Sequence, residues 1–232
     1  MLLAIDTATR QAGVALYDGA RGLIAEYNWH SANRHTEELM PAIAQMLGQA
    51  GVTAGELAAV GVALGPGSFT GLRVGLAAAK GLALAHGLKL LGVPTLDATA
   101  YPHQAQPVPV VALLQAGRGR VYWAAYAHGP SGWGPQTPYA LGTAVDVANA
   151  TVRPMLFVGE VSPADRETLV KFAGRPRAQF LPPALAMRRA GHLAELAWVR
   201  LQADAFDDPA TLSPIYLQQP DGAPAAGGRA RP

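Results

Sequence analysis

Between Leu64 and Arg73 the chain reads Leu-Gly-Pro-Gly-Ser-Phe-Thr-Gly-Leu-Arg. Gly65, Gly67 and Gly71 free the backbone where an apolar run meets an amphipathic one, and Ser68 and Thr70 are residue types that cap a helix. Amides gathered at a helix N-terminus attract phosphate, so one reading is a nucleotide loop. A loop of the Walker kind carries Lys-Ser or Lys-Thr after its last glycine, and here Leu72-Arg73 follows. The other reading is a tight strand-to-helix turn with no ligand. Asp6-Thr7 closes the first apolar run. A carboxylate there either holds magnesium or phosphate-bound water or caps the turn that follows. Arg34-His35-Thr36-Glu37-Glu38-Leu39 opens the first long amphipathic stretch, where Thr36, Glu37 and Glu38 suit a helix N-terminus. His35 is then either a ligand or acid–base group, or an ordinary hydrogen-bonding residue.

Other chemistries are poorly served. None of the six histidines (His30, His35, His86, His103, His128, His192) forms a His-Glu-x-x-His zinc pair or any pair four apart. No Gly-x-Ser-x-Gly nucleophile elbow occurs, and with no cysteine there is no disulfide, thiolate metal site or thiol nucleophile. The expectation is no catalytic side chain and no metal ligand in this chain.

The elements that would carry these residues follow from periodicity. Leu2–Ile5, Ala12–Tyr17 and Leu23–Asn28 read as strands, with Asp18-Gly19 as a hairpin turn. A helix begins between Ser31 and Thr36, with Leu39, Ile43, Met46 and Leu47 on one apolar face. Ala58–Leu64 is a strand, the glycine-rich turn follows, and a small-residue helix runs from about Thr70 to His86. Leu88–Gly92 is a further strand and Pro94-Thr95-Leu96 opens a short helix. Three hairpin-linked strands followed by helical crossovers specify a mixed sheet rather than a doubly wound parallel one. Further on, Val108–Leu114, Arg120–Ala127 and Met155–Val158 read as strands. Gly129–Pro138 reads as loose turns, Pro163–Phe172 as a helix capped by Ser162, and Leu185–Gln202 as a longer helix. In the long second helix Gly71, Gly75 and Ala79 fall four apart, a row of small residues against which another helix can pack closely.

The bulk numbers agree with a folded protein that hides part of its surface. Half of the 232 residues are hydrophobic and only 15% are charged, against about 25% in an ordinary domain. A net charge of +2, with Lys and Arg scattered, does not mark a nucleic-acid binder. Met1-Leu2-Leu3-Ala4-Ile5 meets Asp6 too early for a signal peptide. The apolar stretch Val74–Ala85 is broken by Lys80 and is too short for a bilayer, so no membrane and a cytoplasmic location are expected.

Several segments, in order, resemble one family: Ile5-Asp6-Thr7-Ala8-Thr9, Arg34-His35-Thr36-Glu37-Glu38-Leu39-Met40-Pro41, Gly65-Pro66-Gly67-Ser68-Phe69-Thr70-Gly71-Leu72-Arg73-Val74-Gly75, Ala79-Lys80-Gly81-Leu82-Ala83, and late in the chain Leu212-Ser213-Pro214-Ile215-Tyr216-Leu217. This is similar to the TsaB (YeaZ) family, which with TsaD, TsaE and TsaC builds threonylcarbamoyladenosine on tRNA. The resemblance implies an α/β protein of the actin/hexokinase/heat-shock-chaperone-like fold, two lobes with ribonuclease-H-like mixed sheets. It implies a non-catalytic accessory subunit that binds and activates the TsaD catalytic subunit together with the TsaE ATPase, on adenosine 37 of tRNA. The contact would be a helix bundle of Leu39, Ile43, Met46, Leu72, Gly75, Ala78, Ala79 and Leu82, used for a homodimer when the chain is alone. TsaD carries a metal-binding His pair four apart, and Thr95 and Thr99 stand at the matching places here.

On this reading no cofactor is held tightly. ATP and magnesium come through the partner subunits, with Asp6 and Thr7 as the possible nucleotide-binding residues, and tRNA is met only indirectly through the complex. The lobes are expected over 1–103 (partner-binding helices) and 104–218, with a disordered Gly/Ala/Pro tail over 219–232. Two rivals are an independent ATP-binding phosphotransferase of the same superfamily, with Asp6 at the phosphates, and a glycoprotease-type peptidase. Two residues depart from the family pattern: Gln115 opens Gln-Ala-Gly-Arg where Asp-Ala-Arg is usual, and Gln218 follows Tyr216-Leu217 where Arg is usual.

Overall fold

A computed structural model of the chain describes residues 1–130 and 132–217. Two compact units emerge, Met1–Thr95 together with Arg189–Ile215, and Leu96–Arg188 joined by residues 216–217. The sequence reading puts the division at 103/104 and gives everything beyond it to the second lobe. The structure instead divides after Thr95 and returns a late helix to the first unit. The tail over 219–232 lies outside the described residues.

The first unit starts with three strands in antiparallel series, β1 (Leu2–Asp6), β2 (Gln11–Asp18) and β3 (Gly22–His30). Asp18 makes the hairpin, its Oδ1 accepting the amides of Ala20 and Arg21 at 3.1 Å each. Then come helix α1 (His35–Ala50), strand β4 (Ala59–Gly65), helix α2 (Phe69–His86) and strand β5 (Lys89–Pro94). The sheet order is β3-β2-β1-β4-β5, with β4 parallel to β1 and β5 parallel to β4. Strand β1 is buried on both faces, so it carries no polar alternation. Leu3 and Ile5 join Leu39, Ile43 and Met46 of α1 and Leu76, Ala79 and Ala83 of α2 in one core.

The opposite face is covered by the late helix α7 (Ala190–Gln202). Gly61 of β4 has no side chain because a Cβ there would stand 2.7 Å from Cβ of Ala197 and 3.4 Å from Leu193. The N-terminus of α7 has no side-chain cap of its own. Instead β3 supplies the acceptors: Asn28 Oδ1 takes the Ala190 amide at 3.1 Å and Glu26 Oε1 takes that of Gly191 at 2.6 Å. A carboxylate at a helix N-terminus also answers the helix dipole.

The second unit repeats the plan. Its sheet contains β6 (Val110–Gly117), β7 (Arg120–Gly129), β8 (Gly132–Pro135), β10 (Met155–Gly159) and β11 (Ala178–Phe180) in the order β11-β10-β6-β7-β8, while β9 (Ala140–Thr143) also pairs with β7. Strands β6 to β8 are antiparallel and β10 and β11 are parallel additions. This is the same order as in the first unit: a hairpin series, then parallel strands on the other side of the first strand. Both sheets are therefore the ribonuclease-H-like mixed sheets expected of the actin/hexokinase/heat-shock-chaperone-like fold. Helices α4 (Ala144–Asn149) and α5 (Pro163–Ala173) cover one face, and α3 (Thr95–Ala100) carries Leu96 and Ala100 into the core of the other.

Three sequence expectations change here. The stretch 129–138 contains β8, because β7 is long enough to pair with it at His128 and Gly129. Elements β9, α4 and β11 escape detection in the sequence since each has six residues or fewer. The expected helix Leu185–Gln202 is two, α6 (Pro183–Ala186) and α7, interrupted at Arg188 and Arg189. Each of these arginines pairs within its own unit, Arg188 with Glu160 at 3.2 Å and Arg189 with Glu26.

Candidate functional site: the glycine-rich loop and its two helices

The loop after β4 is built against the turn after β1. Ser68 donates its amide to the Ala8 carbonyl at 2.6 Å, and its Oγ caps α2 by accepting the Gly71 amide at 3.3 Å. Thr7 donates its hydroxyl to the Gly71 carbonyl at 2.7 Å. The glycines are demanded by proximity. A Cβ on Gly67 would lie 2.3 Å from the Ala8 carbonyl oxygen, one on Gly71 would lie 2.1 Å from that of Thr7, and one on Gly75 would lie 2.4 Å from the Thr7 hydroxyl. The loop is thus a clamp between β1 and α2. Asp6 is buried, with Oδ1 accepting the Ala8 amide at 3.0 Å. Both Asp6 and Thr7, the possible nucleotide-binding pair, have structural work in this clamp. Thr95 completes it from below, its hydroxyl oxygen accepting the Gly65 amide at 2.9 Å.

The helices place most of the expected contact set in the wrong direction. Leu39, Ile43, Met46, Leu72, Gly75 and Ala79 are buried in their own unit, so they cannot meet a partner chain. Only Ala78 and Leu82 reach the surface in part. The reason is rotation. The row Gly71-Gly75-Ala79 lies on the sheet, and a shift of two residues turns about 200° around a helix axis. Arg73, Ala77 and Gly81, two positions on, therefore face outward, with Leu84 beside them at 73% exposed. On α1 the exposed row is Met40, Ala44 and Gly48. A Cβ at either Gly48 or Gly81 would meet no atom within 4 Å. Two adjacent helices thus present short, mostly uncharged side chains to the outside.

At the start of α1, His35 is buried and its Nδ1 has no hydrogen-bond partner among the described residues. Burial pushes its pKa below the ordinary 6.5, against the pull of Glu38 and Asp6. Glu38 in turn is held below the usual carboxylate range by hydrogen bonds from Ser31 and Trp29. His103 in the second unit is also buried and lowered by burial. Folded, both histidines bind fewer protons than the unfolded chain just below pH 6.5. Stability is then complete above that pH and falls as the solution is acidified through it. Melting curves between pH 7.5 and 5.5 should show a falling Tm, and the double variant His35→Gln/His103→Gln should fall less. Parallel curves for the two proteins would refute this account.

The second unit holds a buried polar cluster that the sequence reading missed. Asp97 on α3 accepts the hydroxyls of Tyr126 and Tyr139 through one oxygen, at 2.7 Å each. Burial raises the Asp97 pKa although both phenols favour the carboxylate, and burial beside Asp97 raises Tyr126 and Tyr139 well above the tyrosine range. The three residues are 29 and 42 positions apart, so no local pattern could have joined them. Gln115, one of the two departures, also finds a reason. Its side-chain amide donates to the Glu160 carbonyl at 2.7 Å and to Asp165 at 2.8 Å, where an aspartate could only repel.

The comparisons agree with this geometry. The family model described as TsaD, tRNA N6-adenosine threonylcarbamoyltransferase, matches residues 29–223. An uncharacterized protein of Mycobacterium tuberculosis is 34% identical over 97% of this chain and 95% of its own. The tRNA threonylcarbamoyladenosine biosynthesis protein TsaB of Escherichia coli is 35% identical over 56% of this chain and 57% of its own. The solved structure of YeaZ from Pseudomonas aeruginosa superposes with a TM-score of 0.77 at 26% identity, covering 93% of this chain and 99% of that one. The chain belongs to the TsaB (YeaZ) branch of the TsaD-like family. Three of the segments that carry the TsaB resemblance, the end of β1, the glycine-rich loop and the start of α2, are the ones that form the clamp. Thr95 and Thr99, which the family resemblance sets against the TsaD histidines, are both buried hydroxyls. Among the described residues no three His, Asp or Glu side chains gather as a metal site requires, and no helix is long and apolar enough to cross a membrane.

Proposed function

We propose that the chain works in the synthesis of threonylcarbamoyladenosine at position 37 of tRNA, in the cytoplasm, as a subunit without catalytic residues of its own. It holds a TsaD-type catalytic subunit and, with a TsaE-type ATPase, activates it. The observation that carries this reading is the outward face of α1 and α2. Met40, Ala44 and Gly48 on one helix, and Ala77, Gly81 and Leu84 on the other, leave a mostly uncharged surface, with Arg73 at one end of the α2 row, on which a second pair of helices packs closely. The same face serves a homodimer when no partner is present. Thr95, hydrogen-bonded to the loop, takes the place of a metal ligand, which supports a structural role for the clamp. ATP and magnesium are held by the partner subunits.

The test is a reconstituted reaction with TsaD-, TsaE- and TsaC-type proteins of the same cell on unmodified tRNA, with nucleosides counted by mass spectrometry. Omitting the chain should abolish threonylcarbamoyladenosine; undiminished product without it would end the proposal. Ala77→Glu and Leu84→Glu should abolish co-purification with the TsaD-type subunit while Tm stays within about 2 °C, since exposed substitutions change stability by about 0.5 kcal/mol or less. Pairing that survives both charges would move the interface elsewhere.

A further inference from the structure

The second unit gathers cations that are scattered in the sequence. From Val147 to Gly159 and from Thr168 to Ala194 the chain contains no Asp or Glu, yet it carries Arg153, Lys171, Arg175, Arg177, Arg188 and Arg189. Arg188 and Arg189 are accounted for by Glu160 and Glu26. The other four are all exposed and form no ion pair among the described residues.

The fold brings these four to one end of one sheet. Arg153 leads into β10 and Arg177 leads into β11, and these strands are parallel neighbours in the register Met155 to Ala178. The Met155 amide donates to the Arg177 carbonyl at 2.8 Å, which fixes the two strand entries side by side. Arg175 lies in the turn between α5 and β11, where Arg177 and Ala178 both donate amides to the Gly174 carbonyl at 3.0 Å. Lys171 is in the last turn of α5. On the other approach, Thr151 ties the end of α4 down through its hydroxyl to Val147 at 2.8 Å. The basic side chains thus stand on anchored connections.

Two apolar side chains stand among them, Val152 at 74% and Phe172 at 52% exposed. Attraction to the C-terminal dipole of α5 explains Lys171 but not the three arginines. Exposed arginines without carboxylates, beside a half-exposed aromatic ring with Lys171 Nζ 5.3 Å from its centroid on one face, match the recognition of a phosphate backbone with a face for base stacking.

We propose that this end of the second unit, formed by Arg153, Lys171, Arg175 and Arg177 around Phe172, docks the phosphate backbone of tRNA directly. The choice of RNA over an acidic protein rests on the tRNA-modification reading above. The surface lies on the second unit, whereas the partner-binding face lies on the first, so both can be assigned to one chain without sharing a residue.

The experiment measures binding of an unmodified tRNA transcript by the full chain and by its assembled complex, between 50 and 300 mM salt. The variants are Arg153→Ala/Arg175→Ala/Arg177→Ala and the charge-keeping Arg153→Lys/Arg175→Lys/Arg177→Lys. The alanine variant should lose roughly tenfold or more in affinity near 0.1 M salt, and its log–log salt slope should fall by about 2–3. The lysine variant should keep most of both. Wild-type affinity and slope in the alanine variant would overturn the proposal while the tRNA-modification reading stands. Loss of the TsaE- or TsaD-type partner with tRNA binding unchanged would also overturn it, making the surface a protein-docking one. A wild-type complex that binds tRNA through these arginines yet forms no threonylcarbamoyladenosine would leave this surface intact and end the functional reading instead.

Discussion

Gly71→Ala is expected to destabilise the protein by roughly 3 kcal/mol or more, the upper range for forcing atoms into a filled site. The added Cβ would stand 2.1 Å from the Thr7 carbonyl oxygen, and that atom is backbone at the end of a buried strand. It cannot swing aside as a side chain end could. Moving α2 outward instead would break the bond from Thr7 to the Gly71 carbonyl and withdraw Leu76 and Ala79 from the core. For a chain of this length the loss corresponds to a fall of about 6–12 °C in Tm. The control is Gly81→Ala, three turns on in the same helix, where the new methyl group meets nothing within 4 Å. There the gain in helix propensity should raise stability by about 0.5–1 kcal/mol. Urea unfolding of both variants decides the matter. Equal effects would mean that the glycines are placed for the helix alone and that the clamp to β1 is no constraint. Substituting Gly75 would likewise strike the fold through Thr7, and so could not report on partner binding.

Asp97→Leu should cost about 2–6 kcal/mol, because two buried phenol groups lose their shared acceptor at about 1–3 kcal/mol each. The same change made in a Tyr126→Phe/Tyr139→Phe background should cost far less, since nothing is then left unsatisfied. A cost independent of the tyrosines would show that the leucine is merely a poor fit. The carboxylate has a pH signature as well. Its pKa in the folded protein is raised by burial, so the folded state holds the proton longer than the unfolded one. Its contribution is therefore best at acid pH and is lost as pH rises from about 4 through the folded value. Asp97→Asn has no proton to lose. The stability of the wild type relative to this variant should decline over that interval, opposite in sign to the histidine effect. A gap that stays constant with pH would show that Asp97 ionises as it does in water.

How much of this was legible in the sequence depended on whether the signal was local. The strand series of the first unit and the helices α1 and α2 were legible, because each has an apolar period of its own and turn residues at its ends. The proposed partner face is half legible. The small residues of α2 announced close packing, but a four-residue spacing recurs on every side of a helix, and only the buried sheet reveals which row is inside. Met40, Ala44 and Gly48 carry no such signal, because the apolar period of α1 is set by Leu39, Ile43 and Met46 on its buried face. In the second unit the short elements were lost, as was the Asp97 cluster. Arg153 and Arg177 stand 24 positions apart and became neighbours only through the pairing of β10 with β11.

The lateness of α7 has a consequence for how the protein can be made. One face of the first sheet, including Gly61 of β4, is covered by residues numbered above 190. During synthesis the opening 95 residues therefore emerge with an apolar surface that nothing yet conceals, while Leu96–Arg188 is an uninterrupted segment whose sheet is complete in itself. The stretch translated between the two parts of the first unit is positioned to reach its native form first, and the opening stretch waits for residues beyond Arg188. A fragment ending at Thr95 should be insoluble when expressed alone. Supplying Arg189–Ile215 as a separate peptide should restore it to solution, a complementation that light scattering can follow.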